Sequence, residues 1–147
     1  MSRSGKFLAG TAALMVLGGA YAFAQGAGVY TAAQATAGHA VYTASCAGCH
    51  RANLAGGGDA PGLGGDGFMS SWGNRSTKDL YQFIAKSMPA GAPGSLSEEQ
   101  YTNVTAYLLW ANGAKAGTAL SKNTDVKVSS IATGKVVAEA IAAPTLG

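Results

Sequence analysis

The chain has 147 residues, with 10 Lys and Arg against 7 Asp and Glu and a formal net charge of +3. That length suits one domain. Arg3 and Lys6 carry +2 at the start, residues 25–113 carry −1, and the stretch from Ala114 carries +2. The charge therefore sits at the ends, and no basic patch with interleaved aromatics marks a nucleic-acid surface.

The first segment reads as an export leader. Arg3 and Lys6 form a basic opening, Phe7 to Gly19 an apolar stretch, and Ala22-Phe23-Ala24 a small-x-small cleavage pattern. Cleavage after Ala24 is expected, leaving Gln25 to Gly147. The competing reading is an uncleaved anchor, since Phe7 to Ala24 is 18 residues without a charge. Glycine, threonine and many alanines dilute that stretch, which favours a removed signal peptide over residues 1–24.

Three helices follow, each with a start signal. Thr31 with Gln34 reads as a capping box, and Ala35, Gly38, Val41 and Tyr42 continue one buried face towards Cys46. The second helix starts at Ser76 or Thr77 with Asp79 in its first turn. Leu80, Phe83 and Ile84 give it an apolar face, and Pro89 ends it by Ser87 or Met88. The third is capped by Ser97 and Gln100, with Leu96 and Tyr101 as a staple. Tyr101, Val104, Leu108 and Ala111 form its face, and Gly113 after Asn112 its stop. No alternating strand pattern occurs between residues 25 and 113, so an all-α domain is expected.

Between the first two helices, Ala55 to Gly67 holds seven glycines in thirteen residues. This composition predicts a tight loop laid against a flat group, with Pro61, Leu63 and Phe68 partly buried. After Gly113 the pattern fades, so residues 114–147 read as a poorly ordered extension. Val126 to Val128 hint at a strand, and Ala138 to Ala143 at a short helix.

The chemistry concentrates at Cys46-Ala47-Gly48-Cys49-His50, which has the spacing of covalent haem c attachment. Each thiol can form a thioether to one vinyl group, and the following imidazole then lies beneath the ring. A thioredoxin-like disulfide would want a βαβ context, which is missing. A zinc site needs four ligands, yet only His39 remains as a nitrogen donor and no third cysteine exists. His50 is thus the expected iron ligand, and the carbonyl of Pro61 a candidate acceptor for its other ring nitrogen. For the sixth position Met88 is favoured, because the helix breaks there. Met69, between Phe68 and Trp72, reads as packing; it and an open site are the alternatives. His39 is expected on the solvated flank of its helix. Trp72, Arg75 and Tyr81 have polar groups suited to the cofactor's carboxylates, although packing or surface roles explain each as well. His50/Met88 ligation implies one-electron transfer by a carrier rather than an enzyme, and haem attachment fits export to the periplasm.

With these residues in place, the chain resembles class I cytochromes c over about residues 28–113. Gly38-x3-Tyr42-x3-Cys46 looks like the family's first helix, with Tyr107 and Leu108 as partner positions on the last. Pro61, Met88 and Asn112-Gly113 also match family signatures. The resemblance implies a small fold of three main helices wrapped around one haem with glycine-rich loops. A narrower likeness, through Gly28 to Ala35, Leu54-Ala55-Gly56, Pro61 to Gly65, Phe68-x3-Trp72 and Met88 to Leu96, is to the cytochrome domains of quinoprotein alcohol dehydrogenases. It implies redox partner proteins, such as a quinoprotein dehydrogenase and a terminal oxidase. The alternatives are a non-catalytic subunit of such a dehydrogenase, or a haem enzyme or gas sensor with an open sixth site.

Overall fold

In the computed structural model, residues 27–141 are described; the expected leader and cleavage site lie outside them. The elements are α1 (Ala32–Ser45), α2 (Ala47–His50), α3 (Gly65–Trp72), α4 (Thr77–Ser87), α5 (Glu98–Ala111) and α6 (Ala138–Ile141). A single 3-10 turn spans Val128–Ser130. No strand forms among the described residues, only isolated bridges such as Gly28 with Gly117. The fold is all-α, as expected.

All three expected helix starts are made as reciprocal capping boxes. Thr31 Oγ1 accepts from the Gln34 N–H at 3.2 Å while Gln34 Oε1 accepts from the Thr31 N–H at 3.0 Å. Ser76 with Asp79, and Ser97 with Gln100, repeat the arrangement. Each box satisfies two backbone donors that the first turn cannot pair internally. At the far end of α5, Asn112 caps the helix and Gly113 turns the chain at φ 86°.

The two longest helices, α1 and α5, cross at Gly38. A methyl group there would strike the Asn103 carbonyl and the Tyr107 Cβ, so only glycine allows this approach. Beside the crossing, the rings of Tyr42 and Tyr107 lie 5.0 Å apart, and His39 stacks on Tyr107 at 5.1 Å. His39 is therefore half-buried against an aromatic ring rather than solvated. On α4, Leu80 and Ile84 enter the core, but Phe83 stays 43% exposed and touches the rim of Trp72.

Two further expectations are corrected. Helix α3 begins at Gly65, inside the stretch assigned to a loop. Its Phe68 and Trp72 are both buried, and their burial outweighs the poor helix propensity of Gly65 and Gly67. More consequentially, residues 114–141 are no loose extension but a strap laid across the domain. Its Ala114, Leu120, Val128, Ala132 and Ala140 are buried in the common core. Backbone bonds hold it: Gly117 N–H to Tyr30 O at 2.7 Å, Val128 N–H to Arg75 O at 2.9 Å, and Val137 N–H to Ala111 O at 2.9 Å. The hint of a strand at Val126 to Val128 reduces to one bridge, Ser76 with Lys127, before the 3-10 turn. Of the short helix expected from Ala138 to Ala143, Ala138–Ile141 is helical, and Ala142 and Ala143 lie outside the described residues.

The strap explains why α5 is buried on all sides from Tyr101 to Leu109 rather than along one stripe. Its buried hydroxyls are satisfied locally, Thr105 Oγ1 donating to Tyr101 O at 2.8 Å. The phenols of Tyr30 and Tyr107 donate to Ala114 O at 2.6 Å and Ala140 O at 2.8 Å, so two core tyrosines tie the strap down.

Gly38→Ala is expected to force α1 and α5 apart and lose about 2 kcal/mol or more, with a melting temperature lower by roughly 5–10 °C in a calorimetric scan. Alkali should loosen the strap. Burial pushes the Tyr30 and Tyr107 hydroxyls from 10.0 up to about 12. Between those values the unfolded chain binds fewer protons than the native one, so stability falls as pH rises. With both cysteines held in thioethers, urea unfolding across this range should show midpoints steady at lower pH and declining as pH rises above 10.0.

Candidate functional site

The end of α1 delivers the chemistry. Cys46 caps that helix and starts the single turn of α2, with the His50 N–H donating to Cys46 O at 3.0 Å. Both cysteines are free; Cys49 is exposed and Cys46 half-buried. Burial raises the Cys46 thiol to about 11. A redox dithiol works through a thiol whose pKa is lowered, so the disulfide reading fits Cys46 poorly. No group of three or more His, Cys, Asp or Glu suited to a metal ion occurs among the described residues, which leaves the zinc reading without ligands.

After His50 the chain reverses sharply. Arg51 and Leu54 both take left-handed conformations, at φ 67° and 64°. Tyr42 steadies the reversal by donating its hydroxyl to Arg51 O at 2.7 Å. The following loop folds back, with Gly56 N–H bonded to His50 O at 2.9 Å and Leu63 N–H to Leu54 O at 2.8 Å. Gly56 has φ 72°, and a side chain there would strike Ala60 O, Pro61 C and Gly62 N.

This folding brings Pro61 to His50. His50 is only 7% exposed, and its Nδ1 lies 2.8 Å from Pro61 O. A carbonyl can only accept, so Nδ1 carries the hydrogen and donates. The lone pair is then on Nε2, which has no hydrogen-bond partner among the described residues. A buried imidazole with one nitrogen tied to a carbonyl and the other free is the form in which histidine ligates a metal. Two free thiols on the same turn complete a donor set that fits a covalently held haem.

Met88 stands on a separate segment and makes no hydrogen bond to this group. It follows α4 in extended conformation, its N–H bonded to Ile84 O at 2.9 Å. The Tyr101 hydroxyl donates to Met88 O at 2.7 Å and accepts from the Leu96 N–H at 3.4 Å. One phenol on α5 thereby clamps both ends of the loop from Met88 to Leu96. The expected staple between Leu96 and Tyr101 thus includes a polar contact. Met69 packs against the core and against the strap, where any side chain at Gly134 would collide with it.

Of the three side chains suited to the cofactor's carboxylates, Trp72 is buried and packs against Phe83. The Arg75 guanidinium lies 4.4 Å from the centre of the Trp72 ring. Tyr81 is half-buried, and its hydroxyl is pushed up by burial and by Glu98. The sequence marks Asn112 as a helix end and as part of a family signature, with no contact of its own. Its fully buried side chain donates to Leu63 O and Leu108 O, both at 2.9 Å, and accepts from the Gly65 N–H at 2.9 Å. An amide beside a helix stop, facing a glycine-rich loop with unpaired backbone groups, was the available signal.

Comparison with protein families matches residues 33–108 to the family described as "Cytochrome C oxidase, cbb3-type, subunit III". No curated protein matches the chain. Among solved structures, the sulfane dehydrogenase SoxCD from Paracoccus pantotrophus contains a chain that is 26% identical, with a TM-score of 0.47. That match covers 72% of this chain and 54% of the other, so this chain spans about half the length of that relative.

Tyr101→Phe removes the donor to Met88 O while leaving the ring. It should destabilise the protein by about 1 kcal/mol in denaturant titrations and speed amide exchange in the segment from Met88 to Leu96.

Proposed function

The chain belongs to the cytochrome c family described as cbb3-type oxidase subunit III, and from that membership we propose that it is a periplasmic one-electron carrier with His50 and Met88 as axial ligands. The family implies a covalent c-type haem and a role in electron transfer. When bound, that group supplies an iron that takes up and releases one electron at a time. Cys46 and Cys49 would hold it by two thioethers, and His50 would ligate through Nε2. The hydrogen bond from His50 Nδ1 to Pro61 O at 2.8 Å carries this reading. It orients the ring, selects the tautomer and raises the donor strength of the ligating nitrogen.

Met88 is favoured over Met69 for the opposite side. Met88 sits where α4 ends, with its backbone anchored through Tyr101. Met69 lies within α3 and its side chain is packed against the strap. A thioether favours the reduced iron and raises the potential relative to a second histidine. Two firm ligands also deny small oxidants a vacant position, which supports a carrier rather than an enzyme or a gas sensor. No helix among the described residues is long and apolar enough to cross a membrane. The leader pattern at Arg3 to Ala24 supports an exported protein, and the resemblance supports one passing electrons between a dehydrogenase, of the quinoprotein kind, and a terminal oxidase. A non-catalytic haem subunit of such a dehydrogenase uses the same site.

Met88→Ala in the holoprotein should abolish the ferric absorption band of thioether ligation, lower the midpoint potential and admit CO. Retention of the band and the potential would transfer the ligand role away from Met88. Replacing Cys46 and Cys49 together with alanine should leave no haem on the chain after denaturing electrophoresis.

A further inference from the structure

The loop that carries Pro61 is held from outside by Asn112 at the end of α5 and by the strap bonded to it. Asn112 Nδ2 donates to Leu63 O at 2.9 Å, and Asn112 Oδ1 accepts from the Gly65 N–H at 2.9 Å, so one side chain grips the loop just beyond Pro61. The backbone of the same residue takes hold of the strap: Asn112 O accepts from the Thr133 N–H at 3.1 Å and the Gly134 N–H at 2.9 Å. Two residues later Val136 packs over the loop, where a side chain at Gly64 would meet Val136 Cγ2 and Leu54. The strap is therefore bonded to the residue that grips the loop and also covers the loop directly. Residues 112–141 lie beyond the stretch matched to the family.

We propose that the strap, together with the Asn112 cap to which it is bonded, is a positioning element for the proximal imidazole: Asn112 and Val136 fix the segment Leu63 to Gly65, and through it hold the Pro61 carbonyl against His50. The inference rests on the reading of His50 as the iron's axial ligand. Glycines at 62, 64 and 65 leave this segment little conformational preference of its own, so outside contacts must define it. A carbonyl held at hydrogen-bond distance increases electron donation from the ligating nitrogen and favours the oxidised iron. Loosening the strap over the loop should therefore weaken that donation and make the potential more positive.

The test uses the full-length holoprotein with Val136→Ala, Asn112→Ser and, as a control, Val128→Ala. Val128 is buried where the strap bonds to Arg75, so its truncation weakens the strap away from the grip on Leu63 and Gly65. Val136→Ala and Asn112→Ser should each accelerate exchange of the Gly65 amide and of the His50 Nδ1 proton about tenfold and raise the midpoint potential. Val128→Ala should lower the melting temperature and leave exchange and potential alone. If Asn112→Ser does not fold, Val136→Ala decides alone. A Val136→Ala protein with wild-type exchange and potential would overturn the proposal, leaving the strap a merely structural element. If His50→Ala kept the wild-type low-spin spectrum, the ligand reading would fall and the proposal with it. Gly65 exchange reports on the strap independently of the iron, so the two failures are distinguishable.

Discussion

The close crossing of α1 and α5 at Gly38 is the constraint on which the rest of the molecule depends. Because no side chain intervenes there, the Asn103 carbonyl lies against the glycine and the Tyr107 side chain reaches Tyr42. Tyr42 in turn bonds to Arg51 O, just beyond His50. The same crossing sets where α5 ends, and so where Asn112 meets the glycine-rich loop. One backbone contact thereby orients both the attachment turn at the end of α1 and the clamp on the opposite side of the loop.

From that frame the site is assembled by backbone carbonyls more than by charge. Pro61 O accepts a hydrogen bond from His50 Nδ1–H, Met88 O one from the Tyr101 hydroxyl, and Leu63 O one from Asn112 Nδ2–H. The one ion pair among the described residues, Lys122 with Glu98, is exposed and includes none of these groups. Pairs of that kind contribute little. Neutral donors and carbonyls suit a site proposed to change charge by one electron, because they need no counter-ion to move.

The strap changes how the small domain is stabilised. A chain of this length buries a limited core, and α5 would expose one side without residues 114–141. The strap closes that side with scattered small apolar residues and with backbone bonds to Tyr30, Gly73, Arg75, Ala111 and Asn112. Tyr30 and Tyr107 complete the attachment through their hydroxyls.

Features written in local spacing were legible without coordinates. Capping boxes at Thr31 and Ser97, the helix start at Ser76, the turn Cys46 to His50 and the Pro61 acceptor depend on short-range chemistry, which residue type and interval specify, whereas the close approach at Gly38 came from the family resemblance. Helix α3 was hidden, because Phe68 and Trp72 reveal their face only once there is a core to bury them. The strap was hidden more completely. Backbone bonds impose no side-chain period, and alanine, serine and threonine look alike whether a segment is packed or solvated. The identity of the donors on the attachment turn was thus determined by the sequence alone. Which loop is held, by Asn112 and by Val136 of the strap 24 residues further along, was decided by tertiary structure, because only in three dimensions do unpaired amides and carbonyls find their partners.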